Sequence, residues 1–149
     1  MVLNEWILHD LRGDNGPERQ LAAGTFLQAL KQKRDQIVVL RGSRWTQKAF
    51  ELMAVSSPQV RILSQRLHLA ILRDSDRCRY IETTQIEPLP TDLADEVPMD
   101  DVYLFQTAQA AGETLLVTSD GRLIDRVKSA VNRGIHLRAR DEFLQEYLS

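Results

Sequence analysis

Disulfides have no part in this chain: its 149 residues include one cysteine, Cys78, and a lone thiol cannot close a bridge within it. No apolar run approaches the ~18 residues that a membrane-spanning helix requires. The opening Met1-Val2-Leu3-Asn4-Glu5-Trp6 lacks the basic stretch, long apolar core and small-residue cleavage site of a secretory leader. A soluble protein of the reducing cytoplasm, with no membrane contact, is the expectation. Neither sign of charge dominates, since 19 basic and 21 acidic residues leave a net charge of -2. A protein that coats nucleic acid without selection is usually strongly basic, so that class is disfavoured, although one local RNA site is compatible. There is no G-x-x-x-x-G-K loop to cradle a nucleotide phosphate, and Gly112 and Gly121 stand too isolated for a dinucleotide fingerprint. Internal repeats and low-complexity tracts are absent as well.

What remains reads as one globular domain over 1–149, with 43% hydrophobic and 27% charged residues. Met1–Leu3 is a short apolar strand ending at Asn4, and residues 5–11 follow as a helix carrying Trp6, Ile7 and Leu11 inward. Arg12–Pro17 is a dense turn, after which Pro17 and Glu18 open a helix bearing Leu21, Phe26, Leu27 and Leu30. Ile37-Val38-Val39-Leu40 is too short for a helix and suits a strand buried on both faces. Further helices are expected around Trp45–Met53 and from Ser57-Pro58 through Ile71, with 77–81 either a strand or an extended link. The proline-bearing segment 87–98 reads as a surface connection.

Asp100 is placed to cap a helix marked by Val102, Phe105, Ala108 and Gly112. A buried strand over 114–117 ends in Thr118-Ser119-Asp120-Gly121. Leu123, Val127 and Val131 mark the next helix, 135–137 a last strand, and Asp141 the cap of a terminal helix. Strands alternating with helices imply an α/β fold with a mainly parallel sheet covered on both faces. Ligands of such sheets gather beyond the carboxyl ends of the strands, where Asn4 and Asp120 both fall.

Asp101, in the first turn of its helix, and Asp120, delivered by the following strand, form a carboxylate pair at one sheet edge. A hard divalent cation prefers such oxygen ligands. Capping of helix N-termini explains the same two residues without any metal. Asn4 offers a carbonyl oxygen but no charge, and a turn role is its plain alternative. His9-Asp10 reads as a surface histidine, because no other histidine has acidic neighbours at ligand spacing. Cys78 sits between Arg77 and Arg79, which would lower a thiol pKa, or is structural. Lys31–Arg34 and Arg41–Arg44 read as phosphate contacts or as solvated helix ends. Trp45 reads as a base-stacking platform or a core anchor with its ring N–H satisfied.

The helix opened by Asp101 with Ala108 seven residues on, the run Leu115–Leu123 ending its strand in Thr118-Ser119-Asp120, and the closing pieces Gly134–Leu137 and Asp141–Leu144 together resemble the C-terminal half of a PIN domain. Val2-Leu3-Asn4 sits where that family has a strand ending in aspartate. The resemblance implies a three-layer α/β/α fold with a mainly parallel central sheet. It also implies a magnesium- or manganese-dependent ribonuclease, as in the VapC-like toxins of toxin–antitoxin pairs. By position, Asp101 and Asp120 match catalytic, metal-binding aspartates, and Asn4 takes the place of the first. The family glutamate after the second strand falls near Lys48, with Glu51 one turn later; Glu5, Asp10 and Glu51 are candidates to compensate. Implied partners are RNA, an antitoxin or other protein, and a second copy in a homodimer. The departures at Asn4 and Lys48 leave open a catalytically impaired PIN-like module that binds RNA or protein. A response-regulator-like receiver would need an acidic pair after the first strand, which Asn4-Glu5 does not provide.

Overall fold

A computed structural model describes residues 1–149, and its five strands are all parallel to their neighbours. The strands are β1 (Val2–Leu3), β2 (Ile37–Leu40), β3 (Cys78–Ile81), β4 (Leu115–Thr118) and β5 (His136–Ala139). They form ladders in the orders β1-β4-β5 and β2-β3. Met1 joins the two: its amine donates to Gln36 O at 2.8 Å, and Val38 N–H donates to Met1 O at 2.9 Å. The strands therefore run β3-β2-β1-β4-β5 across the molecule. From β1 the chain builds outward through β2 to β3, then returns to place β4 on the other side of β1. The crevice beyond the carboxyl ends of β1 and β4 is thus the point where strand order reverses, the favoured ligand position in open parallel sheets.

The apolar strands are buried on both faces because successive side chains point oppositely. Leu3, Ile37, Val39 and Val117 enter one core, and Val2, Val38, Leu40 and Leu116 the other. The first core is closed by α1 (Trp6–Arg12), α2 (Pro17–Lys33), α3 (Arg44–Leu52), α4 (Pro58–Gln65) and the terminal helix. A π-helix over Arg66–Leu72 continues α4 and buries Leu67 and Ile71. Gly24 permits the approach of α2 to α4, since a Cβ there would lie 2.9 Å from Leu63 Cδ2. The second core is closed by α5 (Thr91–Glu96), α6 (Val102–Ala111) and α7 (Gly121–Arg126), while α8 (Arg140–Tyr147) packs Phe143 and Leu144 into the first. No helix is long and apolar enough to cross a membrane.

Several local expectations are corrected. Segment 87–98 is not only a connection: it holds α5, whose Leu93 is fully buried with Val97 close behind. The helix expected to reach Val131 stops at Arg126, where Val127 turns extended yet stays buried, and Val131 is exposed. Asp100 does not cap α6. A 3₁₀ turn over Met99–Asp101 intervenes and puts Asp101 at the N-cap position, with no capping bond from its side chain. Asp141 lies inside the first turn of α8, behind Ala139 at the cap. Leu21 faces solvent rather than the core.

Candidate functional site

The loop ends that meet at the strand reversal are fastened by side chains. Beyond β1, Asn4 N–H donates to Val117 O at 2.9 Å, and Asn4 Nδ2 donates to Thr118 Oγ1 at 2.9 Å. Asn4 Oδ1 accepts the Trp6 N–H at 3.2 Å, so the side chain turns the backbone into α1. Thr118 Oγ1 also accepts the Asp120 N–H at 3.0 Å. Asp120 Oδ1 in turn accepts N–H groups of Arg122 at 3.0 Å and Leu123 at 3.4 Å, capping α7. Asn4 and Asp120 thus each have a structural duty that sequence had offered as the alternative to a ligand role.

Asp101 arrives from the opposite direction, on the turn leading into α6. Its carboxyl is held above the usual aspartate range, first by burial and then by the negative charge of Asp120, with Glu5 and Asp100 adding to it and Arg44 opposing. Asp120 is therefore the foremost like charge acting on Asp101. The two side chains singled out in sequence share one electrostatic environment, though nineteen positions separate them. Between the elements lies a hollow of about 450 Å³, lined in part by Asn4, Glu5, His9, Arg44, Lys48 and Asp101. Ser119, the residue before Asp120, also lines it.

Glu5 is the most enclosed carboxylate here, at 6% exposure. Its Oε2 accepts bonds from Arg44 Nε at 3.0 Å, Arg44 Nη2 at 2.7 Å and the Tyr103 hydroxyl at 3.0 Å. Its Oε1 lies 2.8 Å from Lys48 Nζ, yet receives no aligned hydrogen bond. Burial alone would raise the Glu5 pKa, but Arg44, Lys48 and Tyr103 outweigh it and the net shift is downward. The Tyr103 phenol is driven well above its ordinary range by burial and by the Glu5 charge.

His9, read from sequence as a surface histidine, keeps a partly exposed side chain but also lines the hollow: its Nδ1 lies 3.1 Å from Asp14 Oδ2 and its Nε2 3.3 Å from Lys48 Nζ. The only available signal was its place one helical turn after Glu5, which puts both on one side of α1. The candidates for compensation divide. Glu5 is in the hollow. Asp10 is buried elsewhere, accepting a bond from Asn15 Nδ2 at 2.7 Å and facing Arg140 Nη1 at 3.3 Å. Glu51 is exposed and accepts from Gln47 Nε2 at 3.3 Å.

Cys78 is buried, and burial pushes its thiol up to about 11, the reverse of an activated nucleophile. Its flanking arginines bond to Asp35 O and Ala111 O. Trp45 is a core residue, but its ring N–H has no partner. A second cavity of about 500 Å³ lies between α2 and α8. Asp10 and Asp141 on its wall are already paired with Arg140 and Arg19.

No group of three or more His, Cys, Asp and Glu side chains is arranged to hold a metal ion. Magnesium, however, commonly keeps several waters and binds through one or two carboxylates plus substrate phosphate. Asp101 and Asp120 are the carboxylates at this edge that form no ion pair within 4 Å with a basic side chain, and the charge of Asp120 acts on Asp101. Asn4 Oδ1 already accepts a backbone bond, and Glu5 is neutralised by its cations. No family model matches the chain, and no curated protein or solved structure matches it.

Proposed function

We propose that the chain is a PIN-like, divalent-metal-dependent ribonuclease whose reaction centre is the crevice beyond β1 and β4. The observation carrying this reading is that Asp101 lines one hollow with Asn4 and with Ser119, the residue before Asp120, at the strand reversal where ligands of parallel sheets collect. Asp101 and Asp120 would hold magnesium or manganese, with Asn4 as a weak third contact. When bound, such an ion offsets phosphodiester charge and lowers the pKa of an attacking water. The chain's own residues supply the rest. Asp101 and Asp120 provide the negative charge that draws a cation. Arg44 and Lys48, both partly exposed, flank the carboxylates and reduce their repulsion of an RNA phosphate. Asn4, by tying β1 to Thr118, fixes the spacing of the two strand ends. The role of a toxin paired with an antitoxin, and assembly as a homodimer, come with this reading through the PIN-like resemblance.

A second reading is a PIN-like module that binds RNA or protein without hydrolysis. It is favoured by the neutralised Glu5 and by the engaged carbonyl of Asn4. The experiment that separates them incubates purified protein and manganese with single-stranded and structured RNAs. Hydrolysis in the wild type and none in Asp120→Asn is the expected result. Absence of cleavage across several RNAs, together with no manganese binding by calorimetry, overturns the ribonuclease reading.

A further inference from the structure

We propose that the groove between α2 and α4 is a docking site for an acidic, amphipathic segment of a partner protein. The groove shares no residue with the hollow beyond β1 and β4, and the inference stands whether or not that hollow hydrolyses RNA.

The two helices approach closely at Gly24, whose missing side chain leaves room for Leu63 against the α2 backbone. Hollows of about 240 Å³ and about 160 Å³ lie along this seam, and Gln28 and Arg66 line both, so the two form one continuous groove. It follows α2 from Gln20 to Lys31, about 16 Å at 1.5 Å per residue. Its other wall is α4 and the π-helix that continues it, from Gln59 to Ala70. Leu21 and Ile62 both line the larger hollow, yet they are 69% and 54% exposed. Leu69, on the π-helix, is exposed as well. Single apolar residues scattered on a surface need no explanation, but aliphatic side chains that share a groove mark an interaction surface.

Charge selects the occupant. From Arg19 to Arg34 the chain has four basic residues and no acidic one, and from Leu52 to Arg73 three basic residues and no acidic one. Arg19 is paired with Asp141, and Lys33 donates to the Tyr147 carbonyl, both toward α8. Lys31, Arg34, Arg61, Arg66 and Arg73 form no ion pair within the chain. Lys31 and Arg66 line the groove itself. This excess is local, because the whole chain has a net charge of -2. Residues 80–121, which include α5 and α6 on the other side of the sheet, carry nine acidic residues and no basic one.

Unpaired cations around an aliphatic groove complement carboxylates around apolar anchors, and they repel partners of their own sign. A helix laid in such a groove presents its anchors on one face. A single RNA strand is the poorer match, since its bases stack on aromatic side chains and the apolar side chains lining this groove are aliphatic. A second copy of the chain would bring its acidic side to this basic one, a head-to-tail contact that leads to a ring or a filament rather than a two-fold dimer.

Fluorescence anisotropy with a labelled peptide tests the assignment. The probe is a peptide of about 14 residues with leucine at every third or fourth position and glutamate elsewhere, and its control has lysine in place of every glutamate. Wild type should bind the glutamate peptide saturably and leave the lysine peptide free. Leu21→Ser/Ile62→Ser removes only exposed apolar surface and should weaken binding at least about tenfold. Lys31→Glu/Arg66→Glu should lose the glutamate peptide and take up the lysine one. Circular dichroism checks that each variant keeps its fold. Amide shift mapping on the wild type needs no variant, and its perturbations should fall within 20–31 and 59–70. No saturable binding up to about 1 mM peptide, perturbations centred outside those stretches, or equal affinity in the wild type and both variants overturns the proposal. So does displacement of the peptide by a single-stranded uridine oligonucleotide whose own binding is lost in Lys31→Glu/Arg66→Glu, which makes the face an RNA surface. Wild-type self-association in sedimentation velocity that Leu21→Ser/Ile62→Ser abolishes overturns it too, in favour of a second copy.

Discussion

Asp120 combines two duties that substitution can pull apart. Its Oδ1 caps α7 through Arg122 and Leu123, and its charge acts on Asp101. Asp120→Asn preserves a good capping oxygen while removing the charge, whereas Asp120→Ala removes both. The alanine variant should lose about 1 kcal/mol of stability from the missing cap. In a chain of this length that is a fall in Tm of about 2–4 °C. For asparagine, the lost attraction to the helix N-terminus and the relieved repulsion with Asp101 oppose each other, and Tm should stay within about 2 °C of wild type.

Manganese then divides the roles. At a concentration 100 times its Kd, a ligand bound only by the folded state adds about 2.7 kcal/mol. The corresponding rise in Tm is about 5–10 °C in the wild type. Differential scanning fluorimetry with and without manganese should show this rise in the wild type and in neither variant. A manganese-induced rise in Asp120→Asn equal to that of wild type refutes the ligand role and leaves Asp120 a helix cap alone.

Two further expectations concern the fold. Asp10→Ala leaves the largely buried Arg140 without its buried partner, and should destabilise by about 3 kcal/mol, at the low end for a broken buried pair because Arg140 Nε keeps Asp141 at 2.9 Å. Urea denaturation reads it, and a loss under about 1 kcal/mol contradicts the burial argument. Arg19 is the leading cause that holds the Asp141 carboxyl down at about 2. A depressed folded-state value stabilises above the ordinary carboxylate range near 3.8, and that contribution is lost as pH falls toward 2. Because Asp141 is exposed, Arg19→Ala should cost about 0.5–1 kcal/mol near neutrality. The deficit should shrink between pH 4 and pH 2; one that is the same across that range argues against the ion pair.

The legible parts of this chain are those where apolar pattern and chain reversal coincide. Ile37–Leu40 carries its strand in four consecutive apolar residues, and Leu115–Val117 with the following Thr118-Ser119-Asp120 marks both a buried strand and the turn at its carboxyl end. Asp101 and Asp120 could be nominated because an alternating α/β order fixes which ends of the strands share an edge. α5 was hidden because Pro88, Pro90 and Pro98 outweighed one buried leucine in a six-residue helix. Leu21 was misplaced because an apolar residue on α2 says nothing by itself about which neighbour covers it. The grip of Arg44 and Lys48 on Glu5 joins residues 39 and 43 positions apart, and solvated helix ends have the same composition. His9 likewise gains its meaning only from Lys48 across the hollow. Long-range charge pairing leaves no periodic mark in a sequence, so the pairing of Arg44 and Lys48 with Glu5 appears only in three dimensions.

Diffraction from crystals soaked in manganese, with anomalous maps recorded at a wavelength where manganese scatters strongly, tests the pairing of Asp101 and Asp120 most directly. A single peak about 2.0–2.3 Å from a carboxylate oxygen of each is the predicted result. Manganese bound at other carboxylates, with nothing between these two, contradicts it.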